Sequence, residues 1–522
     1  MNRHSAHCKC MCSGNPASFQ SPFGVSRREF LYSVGALSIA GLAGRPGEAA
    51  LQGVAPKRGP KPLLPLRVQP VLTYEIPKRR EATSWRNWGG IQTEEGAVAE
   101  KNRIGGELSD LSTKTGFPLE VLPTVTVLNL EQAATVARGS YDVLLLYAAG
   151  GGVNILETLT VPGKWNVMFL RHDPGPVYLW YEIAHNRFLR KTVDDYGQPG
   201  WDVHDVVVDD YSEILWRLRA LSGLKNTLGK KIVAVGGAAG WGKGGQTAPA
   251  RTRELWKMEL VDYPYKDLAK RIQDARRNSA LVERCAREAQ SYLDRGDVSL
   301  QTTQTFVNNA FLLTEVLKDV MDDAQTDAIT INSCMGTIMP MSETTACLPL
   351  SLMNDDGYLA FCESDFVVIP SGILLHYISG KPVFLNDPTF PHGNLVTLAH
   401  CTAPRKMDGT KAEPAKILTH FESDYGAAPK VEMKIGQTCT TLVPDFASKS
   451  WVGFEGTIVG NPFLDICRSQ VEVRVHGDSN ALLEEMKGFH WMLSYGSYLR
   501  ETGYALGKVG VRFHNVSAVQ SA

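Results

Sequence analysis

Strand-like and helix-like segments alternate along the chain from residue 66 to about residue 334, and this alternation limits the possible folds more than any other feature. Apolar runs of strand length are followed by segments in which apolar residues recur at helical spacing. This order is typical of parallel sheets covered by helices on both faces, because two parallel strands need a long crossover connection. The sequence therefore predicts an α/β fold.

The alternation occurs in two blocks, which we interpret as two Rossmann-like parallel-sheet domains. In the first, residues 66–228, we predict strands at 68–74, 119–127, 141–147 and 165–171 and helices at 94–113 and 131–138. In the second, residues 229–334, we predict strands at 231–235, 258–263 and 327–331 and helices at 251–257, 265–276, 279–295 and 302–323.

The pattern changes at about Met335, where helical periodicity becomes scarce. Short apolar runs separated by Gly, Pro and Asp take its place, as in antiparallel sheets and barrels. We predict strands at 367–369, 382–385, 396–399, 415–419, 431–435, 438–443, 451–458 and 471–475, with helices near 480–485 and 500–507. Residues 335–522 are therefore expected to form a β-rich C-terminal domain.

The first 50 residues have the pattern of a twin-arginine export signal. Arg27 and Arg28 stand directly before the apolar run 32–44, and the small residues Ala49 and Ala50 follow. The apolar run is shorter than the ~20 residues that a bilayer span needs. We expect residues 1–50 to be removed, residues 51–65 to form a linker, and the protein to reach the periplasm already folded.

Charge and cysteine content exclude several classes of protein. The chain has 54 Lys and Arg against 55 Asp and Glu, so its net charge of −1 gives no general attraction for nucleic acid or acidic membranes. No segment after the signal is apolar enough for stable membrane insertion. Three of the ten cysteines lie within the signal, and the other seven are scattered, which does not indicate a disulfide framework.

Three residues in the β-rich region have the chemistry of a metal site. Glu363 and Asp387 each lie at an edge of an apolar run, and His490 follows Gly488-Phe489 near the C-terminus. Two carboxylates and one imidazole suit Mn²⁺ or a similar divalent cation with positions left open for substrate oxygens. One carboxylate could also act as a general base if its pKa is adjusted.

The same region resembles the L-fucose isomerase/L-arabinose isomerase superfamily. The matching segments are Cys347-Leu348-Pro349-Leu350, Cys362-Glu363-Ser364-Asp365, Gly380-Lys381-Pro382-Val383-Phe384, Asp387-Pro388, Ala399-His400-Cys401 and Gly488-Phe489-His490 with Tyr495-Gly496 and Arg500-Glu501. The resemblance implies that Glu363, Asp387 and His490 bind Mn²⁺ and that the two acids move the proton. It also implies two α/β domains followed by a β-rich domain, and a homo-oligomer with sites near subunit contacts.

The function implied by this resemblance is aldose–ketose isomerisation of a sugar or sugar derivative through an enediol. A sugar epimerase that uses the same chemistry would have the same residues. Two other functions remain open at this point: an exported, non-catalytic sugar-binding protein, and a nicotinamide-dependent oxidoreductase. The acid pair with His490 argues against the binding protein, which needs no metal.

Further segments are candidates for substrate contact. Trp85 and Trp88 lie in the loop 83–90 that follows the first predicted strand, where Trp faces could stack on a sugar. His400 is a third candidate. The glycine-rich segment 240–245 fits the dinucleotide pattern G-x-G-x-x-G, but the sequence predicts no helix directly after it, so we expect no cofactor-binding residues there.

Overall fold

The first parallel sheet is centred on a strand whose six side chains, Val143–Ala148, are all buried. A computed structural model of the chain describes residues 59–189 and 199–517. The strands of this sheet are β1 (Leu66–Thr73), β2 (Leu119–Val121), β3 (Val125–Val127), β4 (Val143–Ala148), β5 (Trp165–Leu170) and β6 (Val206–Val208). Their order is β2-β1-β4-β5-β6, with β3 also on β1, and every pairing is parallel.

Helices connect these strands. They are α1 (Glu94–Ser112), α2 (Leu130–Ala137), α3 (Val153–Leu159), α4 (Trp180–Ala184) and α5 (Tyr211–Thr227). The start of α1 shows why the chain turns helical there. The Thr93 side chain accepts a hydrogen bond from the Gly96 amide, and Glu94 and Glu95 occupy the positive end of the helix dipole.

A second parallel sheet follows, in the order β11-β10-β7-β8. Its strands are β7 (Lys231–Val235), β8 (Glu259–Tyr263), β10 (Ala328–Ile331) and β11 (Leu359–Cys362). The accompanying helices are α6 (Gly242–Gly245), α7 (Ala248–Leu255), α8 (Tyr265–Arg277), α9 (Ser279–Leu293), α10 (Gln304–Asp323), α11 (Met339–Ser342), α12 (Cys347–Asp355) and α13 (Ile369–Ser379). This sheet therefore uses residues on both sides of position 334, where we placed a domain boundary.

The β-rich part is a closed antiparallel barrel. Its strands are β12 (Phe384–Pro388), β13 (Leu395–His400), β16 (Thr438–Val443), β17 (Ser450–Gly460), β18 (Ser469–Val475) and β19 (Trp491–Tyr495). The order β16-β19-β12-β13-β18-β17 returns to β16, which closes the ring. Strand β20 (Arg512–Asn515) adds in parallel to β17, and α14 (Ser479–Glu484) and α15 (Leu499–Lys508) complete this part.

A small side sheet has the order β15-β14-β9, formed by β9 (Val298–Leu300), β14 (Ala415–His420) and β15 (Tyr425–Val431). Strand β9 lies in the connection between β8 and β10 of the second sheet, and it pairs in parallel with β14. The side sheet therefore links the second sheet to the barrel region. The described residues from Pro60 onward form one compact unit.

The barrel and the second sheet share a core. Phe384 and Leu493 pack with the barrel-interior cluster, whereas their sequence neighbours Leu385 and Met492 pack with the cluster that contains α13. This division follows from the alternation of side chains along a strand. Gly372 of α13 permits the contact, since a Cβ there would lie 2.7 Å from Met492 Cε. The start of β19 is thus held close to the second sheet.

Most predicted elements are present, and the prediction of a mixed α/β fold with parallel sheets and a β-rich part is confirmed at that level. Three segments were predicted wrongly. Residues 119–127 form two strands, β2 and β3, separated around Pro123, which has no amide hydrogen to donate. Residues 367–369 lead into helix α13, and residues 432–435 lie outside β15. The division into domains at 66–228, 229–334 and 335–522 stays a prediction.

The twin-arginine signal and most of the linker lie outside the described residues. Among the residues that the structure does describe, no helix combines the length and the apolar character that crossing a membrane requires.

His376 gives a stability prediction for the core. Its Nδ1 lies 2.8 Å from the Lys381 carbonyl oxygen, and burial lowers its pKa from 6.5 to about 4. His376 is therefore protonated at a higher pH in the unfolded chain than in the folded chain. We expect the free energy of unfolding to fall as the pH drops from 6.5 to 4, by at most about 3 kcal/mol from this residue.

This expectation can be measured by urea unfolding between pH 4 and pH 7.5. The variant His376→Gln keeps a donor for the carbonyl and should show a smaller decrease in stability on acidification than the native chain. Equal pH dependence in the two proteins would show that His376 titrates normally in the folded state.

Candidate metal centre

Glu363 lies at the carboxyl end of the second sheet, directly after β11. The chain turns sharply there, because Glu363 and Ser364 both have positive φ, at 65° and 47°. Such backbone conformations are unfavourable for residues other than glycine and persist where the surrounding structure fixes them. The turn directs the chain from β11 toward α13 and leaves the Glu363 side chain 26% exposed.

The other candidate ligands come from the barrel. Asp387 lies near the end of β12, His400 ends β13, and His490 directly precedes β19. Strand β12 pairs with both neighbours, with Asp387 opposite Ala399 and Asn386 opposite Trp491. Because His400 follows Ala399 and His490 precedes Trp491, these pairings bring both histidines to the same end of the barrel as Asp387.

The four side chains form one cluster. His490 Nε2 lies 3.2 Å from Asp387 Oδ1 and 3.4 Å from Glu363 Oε2. His400 Nε2 lies 3.6 Å from Glu363 Oε1. Both imidazoles are buried, with exposures of 0% for His490 and 3% for His400. Sequence reasoning placed Glu363, Asp387 and His490 in one site and assigned His400 to substrate contact, so the position of His400 as a fourth donor was missed.

The facing atoms of this cluster have no hydrogen-bond partners. Glu363 Oε2, Asp387 Oδ1, His400 Nε2 and His490 Nε2 are buried and unsatisfied. Leaving a buried polar atom without a partner costs about 1–3 kcal/mol, and more for a charged group. A cation between Asp387, His400 and His490 would satisfy three of these four atoms. The donors of Asp387, His400 and His490 also lie within 4.8 Å of one another, so these residues could hold a metal ion.

The charges around the two acids also favour a bound cation. Within the described part of the chain, the ion-pair partners of Glu363 and Asp387 are His400 and His490, and no Lys or Arg pairs with either acid. Two adjacent carboxylates that are only 26% and 35% exposed favour compensating positive charge nearby. Carboxylate oxygens and imidazole nitrogens are suitable ligands for Mn²⁺ and similar divalent ions.

The cluster also separates the pKa values of the two acids. Burial raises the pKa of Glu363, but the neighbouring His400 and His490 outweigh it and hold the pKa well below its usual range. Burial raises the pKa of Asp387 above its ordinary value, and His490 only partly offsets this. Burial lowers the pKa of His490, yet Asp387, Asp365 and Glu363 outweigh it, so the pKa is raised well above normal.

A second grouping, Cys362 with Glu363 and His400, could also hold a metal ion. Its sulfur is a poor ligand in this state. Cys362 Sγ lies 3.6 Å from Cys334 Sγ, and this contact together with burial raises the pKa of Cys362 well above its usual value. Metal ions bind the thiolate rather than the thiol. The oxygen and nitrogen donors are therefore the better set.

Asp365 holds His490 in place. Its Oδ2 lies 2.8 Å from His490 Nδ1, and both side chains are fully buried. Its Oδ1 accepts hydrogen bonds from the amides of Trp241 (3.3 Å) and Val367 (3.1 Å). A carboxylate at Nδ1 keeps the proton on that nitrogen and leaves Nε2 free to bind a metal ion. The spacing Glu-x-Asp in the sequence was the available signal for this role.

Replacing Asp365 by Asn should weaken metal binding without unfolding the chain. The amide can donate to Nδ1, which would move the imidazole proton to Nε2 and block the ligand position. We expect the Mn²⁺ affinity to fall about 10- to 100-fold, as for other partners of metal-bound histidines. Titration calorimetry measures this affinity, and circular dichroism verifies the fold.

Asp355→Asn is the matched control, because Asp355 is another acid that accepts two backbone amides, those of Arg405 and Lys406. It should bind Mn²⁺ as the native chain does. The same affinity in Asp365→Asn and the native chain would contradict the positioning role.

The glycine-rich segment 240–245 forms a wall of this site. The expectation that no helix directly follows it is wrong, since α6 lies within the segment and α7 begins after only two intervening residues. The glycines serve close packing, because a Cβ on Gly240 would clash with the Gly245 carbonyl group. Residues Ala239 and Asp365 form a parallel β-bridge, which joins this segment to the Glu363 turn.

Trp85 and Trp88 do not join the cluster. Trp85 is half-buried beneath Arg86, whose Cζ lies 5.0 Å from the ring centroid, and Trp88 is 53% exposed. No hydrogen bond, ion pair or ring contact among the described residues links either one to the four candidate ligands. Their loop instead borders a small cavity at the carboxyl end of the first sheet, together with Glu75 and Gly150.

Comparison with known proteins adds no evidence on function, so a functional assignment rests on the geometry of this site. The chain matches no protein-family model and no curated protein sequence.

Proposed function

We propose that this chain is a metal-dependent aldose–ketose isomerase that acts on a sugar or sugar derivative. The observation that carries the proposal is a group of unsatisfied donor atoms: those of Asp387, His400 and His490 lie within 4.8 Å of one another, and Glu363 contacts both histidines. Two of these donors are carboxylates, which can also accept and return protons. A binding protein without catalysis has no need for such a group.

The two acids have different tasks because the pKa of Glu363 lies below its ordinary value and the pKa of Asp387 lies above its ordinary value. A divalent ion held here would polarise a sugar carbonyl and its neighbouring hydroxyl and acidify the C–H bond beside that carbonyl. Glu363 stays ionised at neutral pH and accepts the proton from that carbon, which gives the enediol. Asp387 holds a proton more readily and gives one to the neighbouring carbon, while the hydroxyl proton passes to the former carbonyl oxygen. Exchange with solvent then returns Glu363 to its ionised form and Asp387 to its protonated form. Asp365 keeps His490 oriented throughout.

The resemblance to the L-fucose isomerase/L-arabinose isomerase superfamily supports the same proposal, as do the residues that carry it. We extend the proposal to Mn²⁺ as the ion, to export by the twin-arginine route into the periplasm, and to a homo-oligomer. The nicotinamide alternative lacks support, because the glycines of segment 240–245 pack against one another.

Isotope exchange tests the reaction directly. The Mn²⁺-loaded protein is incubated with a panel of aldoses and ketoses in D₂O, and the products are analysed by NMR. A substrate should yield its isomer with deuterium at the carbon next to the carbonyl. The product would also distinguish an isomerase from an epimerase. Absence of product and of deuterium across the panel, with metal bound, would refute the proposal.

A further inference from the structure

Two thiols meet at the carboxyl end of the second sheet, next to the candidate metal centre. Cys334 Sγ lies 3.6 Å from Cys362 Sγ, and both cysteines are free. The contact follows from the pairing of β10 with β11, in which Ile331 lies opposite Cys362, and Cys334 begins a short helical turn three residues later. Cys362 immediately precedes Glu363, so the two sulfurs adjoin a residue of the proposed site.

The backbone beside each thiol has an uncommon conformation. Ser333, directly before Cys334, has a φ of 49°, and Glu363, directly after Cys362, has a φ of 65°. The turn Cys334–Ile338 is π-helical, a form that is rare and occurs frequently at functional sites. Conformations of this kind persist only where tertiary contacts hold them, and they cluster at sites of function. The two thiols therefore lie between turns that the surrounding structure holds in place.

A phenol with an unsatisfied hydroxyl lies beside the pair. Tyr265 packs against the core cluster that contains both cysteines, and its buried hydroxyl has no hydrogen-bond partner among the described residues. Burial raises the pKa of Tyr265, and Cys334 and Cys362 raise it further, because a charge on either sulfur repels a phenolate. As a neutral donor, the same hydroxyl would stabilise a thiolate at this place.

A small reagent reaches one of the two sulfurs first. Cys334 is 9% exposed against 3% for Cys362, and its turn includes the exposed residues Ser333 and Gly336. A disulfide needs its sulfurs about 2.05 Å apart, so the two atoms must approach by about 1.5 Å. Cys334 is therefore the first point of attack, and Cys362 is the resolving thiol.

We propose that Cys334 and Cys362 form a redox site, in which a disulfide closes and weakens ion binding by displacing Glu363. The oxidant is a low-molecular-weight disulfide, RS–SR. The Cys334 thiolate attacks one of its sulfurs, forms a mixed disulfide and releases RS⁻. The Cys362 thiolate then attacks Cys334 Sγ and releases the second RS⁻. The two cysteine protons leave with these anions as two RSH, so the protein loses two electrons and RS–SR gains them.

The bond acts on the metal centre through the turn that follows β11. The Ser364 amide donates to Thr330 Oγ1 at 3.0 Å, which leaves the turn little room to absorb a shift of Cys362. The shift therefore passes to the Glu363 side chain, whose oxygens lie 3.4 Å from His490 and 3.6 Å from His400. We expect the Mn²⁺ affinity to fall about tenfold, the lower end of the effect of disturbing groups around metal ligands.

Differential alkylation with mass spectrometry tests the bond without any sugar. The reduced native chain is incubated with oxidised glutathione, its remaining thiols are alkylated, and its proteolytic peptides are analysed. Contact with Cys334 and burial raise the pKa of Cys362, so the reaction is slow and is run to equilibrium at about pH 8. We expect two peptides linked through Cys334 and Cys362, with the loss of two hydrogen atoms, and dithiothreitol should separate them.

Three results would overturn the redox site. The first is recovery of Cys334 and Cys362 as alkylated thiols. The second is glutathione that stays attached to Cys334. The third is a linkage confined to the neighbouring thiols of Cys347, Cys401 and Cys467, which pack together in a separate cluster.

Calorimetric Mn²⁺ titration of the reduced and oxidised chains tests the effect on the metal centre. Cys334→Ser cannot form the bond and should bind Mn²⁺ equally before and after treatment with oxidised glutathione. Cys334→Ala is the second variant, for the case that a buried serine hydroxyl prevents folding. Cys285→Ala is the matched control, because Cys285 is a buried, free cysteine of the same core cluster. It should lose affinity on oxidation as the native chain does.

These outcomes are independent of the proposed function, which the redox site goes beyond and does not require. A linked Cys334–Cys362 peptide pair and a tenfold loss of Mn²⁺ affinity, in a chain that isomerises no sugar, would support the redox site and refute the isomerase. Equal Mn²⁺ affinity of the reduced and oxidised native chains would refute the displacement of Glu363, whatever the chain isomerises.

Discussion

Glu363→Gln is expected to lower kcat for isomerisation by about 10³-fold or more. The glutamine is nearly the same size, so the turn after β11 should persist. It cannot accept a proton, however, and loss of a general base alone typically costs about 10²–10⁴-fold. The change also removes one charged donor from the four that face each other in the cluster. Initial rates with a sugar identified by isotope exchange measure the effect.

Glu472→Gln is a closely matched control for this variant. Glu472 lies in β18 of the same barrel, its side chain is 29% exposed against 26% for Glu363, and it also pairs with a histidine, His392. Its rate should stay within about twofold of the native rate. Activity of Glu363→Gln within tenfold of the native chain would show that another group removes the proton.

Metal binding is expected to have the largest effect on stability. Without metal, the positive partners that the described residues offer to the partly exposed Glu363 and Asp387 carboxylates are His400 and His490. An ion that binds only the folded state stabilises it by about 4 kcal/mol when its free concentration is 1,000 times Kd. Calorimetric melting in EDTA and in excess MnCl₂ should therefore show a clear rise in Tm. His490→Asn should abolish most of this rise, and Glu472→Gln should retain it.

The same experiment has a pH dependence with a definite sign. The pKa of His490 is raised well above its ordinary value in the cluster, so the metal-free protein holds a proton there at neutral pH. That proton must leave before Nε2 can bind a metal ion. Mn²⁺ affinity should therefore increase between pH 6 and pH 8, with proton release on binding. Affinity independent of pH would place the metal elsewhere.

The elements that the sequence identified well are those whose local pattern decides their structure. Strands β7 and β16 begin and end where predicted, since both are short apolar runs between turn-forming residues. Helix α13 was mistaken for a strand at its start, because nearly all of its residues are buried and its apolar residues show no one-sided period. Strand β19, which completes the barrel, was missed altogether.

The site could be predicted in part for the same reason. Glu363, Asp387 and His490 were named from short motifs, and the structure brings them together. The roles of His400 and Asp365 depend on contacts between distant segments, such as the pairing of β12 with both β13 and β19. The register between two strands that are far apart in sequence cannot be deduced from the sequence of either strand alone. The contact between the Cys334 and Cys362 thiols is likewise a product of tertiary packing.

The distribution of the donors has a consequence for the order of events in the cell. Glu363 belongs to the second sheet and the other three donors to the barrel, and the contact between Asp365 and His490 spans 125 residues of sequence. An ion bound at this cluster would therefore link the second sheet to the barrel. These two parts can meet there only after the ribosome has released His490 and β19 has paired. Capture of an ion there would then be a late, post-translational step that only a chain with a closed barrel completes.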